Sequence, residues 1–150
     1  MKEAKKILVS ACLYGGPPCR YDGGEAPCLH QRFLEWKAQG RLVPVCPEVS
    51  GGLPVPRPAA ERCGARVLNA AGADVTDAFA RGAAEALRLA REHDVCFCVL
   101  KERSPSCGAH AVYDGTFSGA QIPGRGVAAE ALAAAGFAVY SEEDVPEIEG

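Results

Sequence analysis

The chain lacks any apolar stretch that could cross a membrane, since none of its runs approaches the ~20 residues that a transmembrane helix requires. It also lacks the pattern of a secretory signal, because the charged residues 1–6 lead directly into a short apolar run, with no small-residue cleavage site. Its eight cysteines would remain thiols in a reducing compartment. We therefore expect a soluble cytoplasmic protein that has no disulfides and no membrane partner.

An excess of basic residues is also absent, since the formal net charge at pH 7 is −3. Proteins that bind nucleic acid neutralise its phosphates with clustered Lys and Arg, and this term dominates their binding. The charge balance therefore argues against nucleic acid as a partner and favours a small-molecule substrate. We expect the protein to act as a monomer or a homodimer.

Internal repeats and domain linkers are absent as well, and 150 residues is the length of one domain. A chain of this length buries about two-thirds of its unfolded surface and folds without cross-links. Strand-like apolar runs alternate with helical patterns, which is typical of βαβ units and a parallel sheet. The strand-like runs are residues 6–10, 42–45, 95–100 and 137–140, and the helical patterns are 31–39, 76–93 and an Ala-rich segment after residue 126. The sequence predicts an α/β fold that residues 1–150 form as a single domain.

Two segments of the sequence have neither a helical nor a strand-like pattern. Residues 47–58 contain four prolines, which remove backbone donors and fix φ, so we predict a loop that is neither regular helix nor central strand. Loops of this length in compact domains are usually either functional or disordered. The acidic residues 141–150 are predicted to form a solvated end of the chain. Separately, Asp114–Gly115 predicts the turn of a small hairpin.

Three cysteines come just after three of the predicted strands: Cys12, Cys46 and Cys107. If these strands are neighbours in one parallel sheet, the three thiols meet at its carboxyl edge, where open α/β folds bind ligands. Thiolates bind soft metals, and three of them leave one coordination position open. The chain lacks a C-x-x-C pair and the spacings of zinc fingers and ferredoxins, so zinc and an iron–sulfur cluster both remain open on spacing alone.

The other five cysteines are weaker candidates for ligands. Cys96 and Cys98 are two residues apart in a predicted strand, so we expect them to share one face in the core. Cys28 and Cys63 are predicted to lie in polar loops, and we expect them to be incidental. Cys19 could approach the first of the three thiols across the intervening turn, as a fourth ligand.

Polar residues accompany two of the three thiols. Glu48 lies two residues beyond the second one and is expected in the same crevice, where a carboxyl group can act as general acid and base. Ser104 and Ser106 precede the third thiol, and either could donate a hydrogen bond to a substrate. Residues 124–129 approximate G-x-G-x-x-A at a helix start, which predicts a site for an anion or polar group rather than a dinucleotide. The three histidines share no pattern, so no catalytic triad is predicted.

Several motifs occur in order along nearly the whole chain. They are Ser-Ala-Cys-Leu at 10–13, Cys-Arg-Tyr-Asp-Gly at 19–23, Val-Cys-Pro-Glu-Val-Ser-Gly-Gly-Leu at 45–53, Pro-Arg-Pro-Ala-Ala-Glu at 56–61, Asp-Val-Thr at 74–76, Leu-Lys-Glu-Arg-Ser-Pro-Ser-Cys-Gly at 100–108, Tyr-Asp-Gly-Thr-Phe at 113–117 and Gly-Arg-Gly-Val at 124–127. Together they resemble the thiouracil desulfidase family, a small bacterial family formerly of unknown function.

The resemblance implies a Rossmann-like three-layer α/β domain with a mostly parallel sheet of about four to five strands. It implies a 4Fe–4S cluster held by Cys12, Cys46 and Cys107, the same three thiols that follow the strands, with the fourth iron left for the sulfur of a thiolated base. Glu48 and Ser104 would be the catalytic polar pair. The expected reaction converts 2-thiouracil or a similar base to the oxo-base and releases hydrosulfide, without net redox change.

Two other classes of function stay open at this point. A fourth thiolate from Cys19 would leave every iron with a protein ligand, which is typical of electron-transfer clusters. Three thiolates together with a water molecule would instead form a zinc site. The family resemblance favours the desulfidase, but it does not fix the physiological substrate, because one fold can serve several chemistries.

Overall fold

The computed structural model describes residues 5–16, 21–22 and 27–148. The strands are β1 Ile7–Ser10, β2 Leu42–Val45, β3 Ala60–Cys63, β4 Arg66–Asn69, β5 Phe97–Leu100, β6 Ala111–Tyr113, β7 Gln121–Pro123 and β8 Val139–Ser141. The helices are α1 Ala11–Tyr14, α2 Gln31–Ala38, α3 Pro47–Ser50, α4 Thr76–Glu92 and α5 Val127–Ala134, followed by a 3-10 helix over Glu142–Glu147. Among these described residues, no helix has the length and apolar character needed to span a membrane.

A four-stranded parallel sheet forms the centre of the fold, in the order β2–β1–β5–β8. Its register pairs Ser10 with Val45 and Val9 with Val99, so β1, β2 and β5 end at the same edge. Every residue of β1 and β5 is buried, as expected for strands that are covered on both faces. The predicted α/β fold with a mostly parallel sheet is confirmed.

Helices cover both faces of this sheet. Leu8 packs with α4 and α5, whereas its neighbours Ile7 and Val9 pack with α2 and the 3-10 helix. Because successive side chains of a strand point to opposite faces, these two apolar clusters lie on opposite sides of the sheet. The second cluster contains edge-to-face aromatic contacts, with the ring centroids of Trp36 and Phe97 5.6 Å apart. The domain therefore has three layers.

The prediction for residues 47–58 is wrong for their first turn. Residues Pro47–Ser50 form α3 because Pro47 occupies the first helical position, where no backbone N–H is needed and its fixed φ suits the helix. Strands β3 and β4 pair into an antiparallel hairpin that no apolar run predicted. Strands β6 and β7 form the predicted second hairpin, although residues 114–120 join them instead of a two-residue turn.

The prediction of a solvated end is wrong for residues 142–148. Ser141 caps the 3-10 helix, since its hydroxyl accepts a hydrogen bond from the Glu143 N–H at 3.1 Å and the Asp144 carboxylate accepts one from the Ser141 N–H at 2.8 Å. Val145 and Ile148 are 0% and 4% exposed and pack in the second apolar cluster. Two apolar side chains thus anchor to the core a segment whose other side chains are partly or fully exposed.

Candidate active site

A cavity of about 590 Å³ opens at the carboxyl edge of the sheet. It is lined by residues that follow β1, β2 and β5, together with residues of the two hairpins. The polar and thiol groups that line it include all five predicted site residues: Cys12, Cys46, Glu48, Ser104 and Cys107. The parallel sheet therefore brings three thiols from distant parts of the sequence to one cavity.

The three thiols reach the cavity from three short segments. Cys12 lies on α1, which begins directly after β1, and Cys46 lies between β2 and α3. Cys107 lies in the loop between β5 and β6. Cys12 and Cys107 are 8% and 4% exposed, and Cys46 is half-buried. Ser10 joins two of these segments, because its hydroxyl accepts a hydrogen bond from the Lys101 N–H at 2.8 Å, at the ends of β1 and β5.

Two glycines let α3, which follows Cys46, pack directly against α4. A Cβ atom at Gly82 would overlap the carbonyl group of Pro47, and a Cβ atom at Gly51 would overlap that of Ala78. The two helices therefore touch through their backbones. This close contact sets the position of the helix that carries Glu48.

The N-terminus of α5 holds the loop that carries Cys107. The N–H of Val127 donates to the Pro105 carbonyl at 2.9 Å, and that of Ala128 donates to the Ser106 carbonyl at 2.8 Å. A Cβ atom at Gly126 would overlap the Ser106–Cys107 peptide, which explains the glycine. Residues 124–129 were predicted to bind an anion or a polar group; the groups they hold are carbonyls of this loop, which use the N–H groups that an anion would need.

Glu102 organises the same loop from inside, and the sequence analysis did not identify it. It is 4% exposed, and its Oε1 accepts hydrogen bonds from the N–H groups of Ala109, His110 and Ala111 at 3.0, 2.9 and 3.1 Å. Burial raises the pKa of the Glu102 carboxyl, but the backbone N–H groups outweigh burial and hold this pKa below its usual value. Glu102 could have been noticed in the sequence because it is a charged residue two positions after the fully apolar strand β5.

Glu48 is held on both of its carboxylate oxygens. The Nε of Arg57 donates to Oε1 at 3.1 Å, and the Ser106 hydroxyl donates to Oε2 at 3.0 Å. The side chains of Arg57 and Glu48 are only 5% and 13% exposed. Sequence reasoning missed Arg57; the signal was the lone basic residue in the Pro-rich segment that follows Glu48.

The two serines before Cys107 have different partners. Ser106 contacts Glu48 directly, and its Oγ also lies 3.6 Å from the Cys107 sulfur. The Ser104 hydroxyl accepts hydrogen bonds from the N–H groups of Ser106 and Cys107 at 3.2 and 3.1 Å, and it lies 3.1 Å from the Ser106 Oγ. Ser104 is therefore connected to Glu48 through Ser106.

Burial dominates the chemistry of the Cys107 thiol. Desolvation raises its pKa to about 12, although hydrogen bonds with Ser10 and Ser106 lower it, while the charges of Cys46 and Glu48 raise it further. The thiol is consequently protonated at neutral pH when no metal is bound. Binding a metal as a thiolate must therefore release its proton.

The three thiols of the cavity could in principle hold either a single zinc ion or an iron–sulfur cluster. No group of three or more His, Cys, Asp or Glu side chains within residues 5–16, 21–22 and 27–148 is arranged to hold a single metal ion. The thiolates of a cubane each bind a different iron, so their sulfurs lie roughly 6–7 Å apart, given Fe–S bonds near ~2.3 Å. Three thiols around one cavity, none of them in a group arranged for a single ion, therefore fit a cluster better than a mononuclear zinc site.

Four further cysteines lie in the described part of the chain, and none of these four lines the cavity. Cys98 lies in the core as predicted, but the prediction for Cys96 is wrong: it precedes β5, is exposed, and its sulfur lies 3.3 Å from the Lys6 carbonyl oxygen. Cys28 and Cys63 are half-buried and do not line the cavity. Cys63 lies in β3 rather than in a loop. The proposed fourth ligand, Cys19, falls outside the described residues.

Three comparisons give independent information about this chain. The family model described as 2-thiouracil desulfurase matches residues 7–144. The uncharacterized protein YbbK of Bacillus subtilis (strain 168) is 41% identical in sequence, over 95% of this chain and 99% of its own length. The solved structure of the [4Fe-4S]-dependent thiouracil desulfidase TudS is 45% identical and superposes with a TM-score of 0.92, covering 96% of this chain and 95% of that one.

Proposed function

The chain belongs to the 2-thiouracil desulfurase family, and from this membership and its cavity we propose that it is a [4Fe–4S]-dependent thiouracil desulfidase. The observation that carries the proposal is that Cys12, Cys46 and Cys107 line one cavity at the ends of three parallel strands. In the reaction, water supplies the oxygen that replaces sulfur at the thiocarbonyl carbon of 2-thiouracil. The products are uracil and hydrosulfide, and no oxidation state changes.

Three thiolates suit a cubane that must keep one iron accessible. Cys12, Cys46 and Cys107 would each bind one iron, which would leave the fourth iron without a ligand from these three thiols. Bound in this way, the cluster supplies a Lewis acid that polarises the thiocarbonyl group. The cavity of about 590 Å³ lies in the range of about 300–1,000 Å³ that small-molecule sites occupy.

Glu48 would act as the general base and then as the general acid. Its carboxylate lines the cavity, so it can take a proton from the attacking water and return it to the departing sulfur. Ser106 and Arg57 hold its two oxygens, which keeps the carboxylate in one orientation. Ser104, which also lines the cavity, would hydrogen-bond the ring or the developing carbonyl oxygen.

The proposed setting is a reducing one. The seven cysteines in the described part of the chain are all free thiols, and an accessible cluster is best preserved in the cytoplasm. We propose a free thio-base as the substrate rather than nucleic acid, since the net charge of −3 gives no basic surface for phosphates. We also propose that residues 1–150 act as one domain, as a monomer or a homodimer.

The test uses protein reconstituted with iron and sulfide under anaerobic conditions. We expect about four irons per chain, and incubation with 2-thiouracil should release one hydrosulfide for each uracil formed. A cluster-loaded protein that releases no hydrosulfide from any thio-base would contradict the proposal and favour electron transfer. A colourless protein that retains only zinc would favour the zinc alternative.

A further inference from the structure

We propose that Arg57 is the positioning residue for Glu48, an inference that rests on the proposed function. Arg57 lies in the Pro-rich segment between α3 and β3, and nothing in its sequence position assigns it to the thiol site. In the structure, its guanidinium contacts the carboxylate of Glu48, which lines the cavity and which we assign as the base. Its role is to fix the orientation of that carboxylate.

The two contacts to Glu48 come from different segments of the chain, one between α3 and β3 and the other between β5 and β6. The Nε of Arg57 reaches Oε1, and the Ser106 hydroxyl reaches Oε2, at 3.1 and 3.0 Å. A carboxylate bound at both oxygens cannot rotate without breaking one of these bonds. If the contact to Arg57 were lost, the bond to Ser106 alone would leave the carboxylate free to turn about it.

The low exposure of this ion pair makes it stronger than a surface pair. With side chains 5% and 13% exposed, Arg57 and Glu48 are screened by little water, so their attraction exceeds that of solvent-exposed pairs. Removing the guanidinium would also leave a nearly buried carboxylate without its cationic partner. Loss of Arg57 should therefore change both the orientation and the environment of Glu48.

Arg57 is itself anchored by its surroundings. Its Nη1 donates to the Pro54 carbonyl at 3.0 Å, and its backbone N–H donates to the Tyr21 carbonyl at 2.7 Å. The planar guanidinium fork can satisfy Glu48 and a backbone carbonyl at once, which a lysine ammonium on a flexible stem does less well. The Pro-rich segment thus serves as the support that presents this fork to Glu48.

The first experiment compares Arg57→Gln and Arg57→Lys with wild type, all reconstituted anaerobically. We expect Arg57→Gln to lower kcat by about 10–100-fold, in line with the effect of misplacing a reacting group by about 1 Å. We expect KM for 2-thiouracil and the iron content to change by less than about twofold. Arg57→Lys should recover only part of kcat. A large rise in KM with unchanged kcat would overturn the proposal, since it would mean that Arg57 binds substrate.

Arg81→Gln is the matched control. The Nε of Arg81 donates to the carbonyl of Gly51, just past the last residue of α3, at 3.1 Å, and Arg81 does not line the cavity. We expect kcat of Arg81→Gln to stay within about twofold of wild type. If both arginine variants lost activity and iron equally, the positioning role would be overturned in favour of a structural one.

A double-mutant cycle tests whether Arg57 acts through Glu48. In a Glu48→Gln background, Arg57→Gln should lower the residual kcat by less than about twofold, because its target is already gone. Independent losses that multiply would overturn the inference. Wild-type hydrosulfide release in the same assay tests the proposed function separately: if it is present and Arg57→Gln equals wild type, only the positioning role fails.

Discussion

At the scale of single residues, a Glu48 variant tests whether substrate binding and turnover can be separated. The Glu48→Gln variant keeps the size of the side chain but cannot take a proton from water, so we expect kcat to fall by about 10²–10⁴-fold. The cluster and the affinity for 2-thiouracil should persist, because the thiols are untouched. Iron analysis and steady-state kinetics measure both. Wild-type turnover in an iron-replete variant would show that another group is the base.

The cysteines give a second prediction at this scale. Changing Cys12, Cys46 or Cys107 to Ser should abolish or cripple cluster incorporation, since each change would remove one of the three proposed thiolate ligands. The half-buried thiols outside the cavity provide the controls, so Cys28→Ser and Cys63→Ser should retain full iron content.

The informative case is Cys19→Ser. Full activity and iron content would support a cluster with three protein ligands. Loss of the cluster would instead indicate a fourth thiolate and favour electron transfer.

The sequence could indicate most of the site residues but not their partners. Each of the three thiols follows an apolar run, so their meeting at one sheet edge could be predicted. Which serine contacts Glu48 could not, because Ser104 and Ser106 are two residues apart in a turn whose shape depends on α5. The contact between Glu48 and Arg57 depends on the path of a Pro-rich segment, for which no periodic pattern exists.

At the scale of elements, the backbone contact between α3 and α4 should control the thiol site. Gly82→Ala places a methyl group against the Pro47 carbonyl, so α3 must move. We expect a loss of about 1–3 kcal/mol in the free energy of unfolding, together with reduced iron incorporation. Gly124→Ala is the control, because its Cβ would make only an ordinary contact, 3.5 Å from Val112. Unchanged stability and iron content in Gly82→Ala would contradict this account of α3.

The loop that carries Cys107 gives a prediction with a pH dependence. The folded-state pKa of Glu102 is lowered, so its contribution to stability is present above the usual value of 4.5 and is lost as pH falls through the folded pKa. In Glu102→Gln, a neutral amide replaces the carboxylate that accepts hydrogen bonds from several N–H groups. We expect its free energy of unfolding at pH 7 to be about 1–3 kcal/mol lower than that of wild type.

The difference between Glu102→Gln and wild type should shrink as the pH falls below 4.5, as urea unfolding of the metal-free protein can measure. The control is Glu130→Gln, whose side chain is 60% exposed, with an expected effect within about 0.5 kcal/mol. A difference between Glu102→Gln and wild type that did not depend on pH would contradict the role assigned to this carboxylate.

Among the helices and strands, those with a strong local sequence pattern could be predicted, and those without one could not. The helix Thr76–Glu92 and the strand Phe97–Leu100 have strong apolar periodicity or long apolar runs, and the sequence predicted both. The hairpin of β3 and β4 has short, half-buried strands with mixed polarity, so its pairing depends on contacts that the sequence does not display. The sequence did not indicate the 3-10 helix, because only two apolar side chains of this acidic segment, Val145 and Ile148, enter the core.

At the scale of the whole molecule, the order of the strands is what creates the site. β1 lies between β2 and β5, so the segments after these three strands must face one another across the cavity. The two hairpins then supply further parts of the cavity wall, including Glu61 and Tyr113. A thiol at the end of a distant strand would not reach the same cluster.

The measurement that tests the central claim most directly is a single turnover of the iron-loaded protein with 2-thiouracil in ¹⁸O-labelled water, without any added electron donor. Hydrolysis at the cluster predicts uracil that carries one ¹⁸O at the former thiocarbonyl carbon and an equal amount of hydrosulfide. Uracil without the label, or a reaction that proceeds only when a reductant is supplied, would contradict the account.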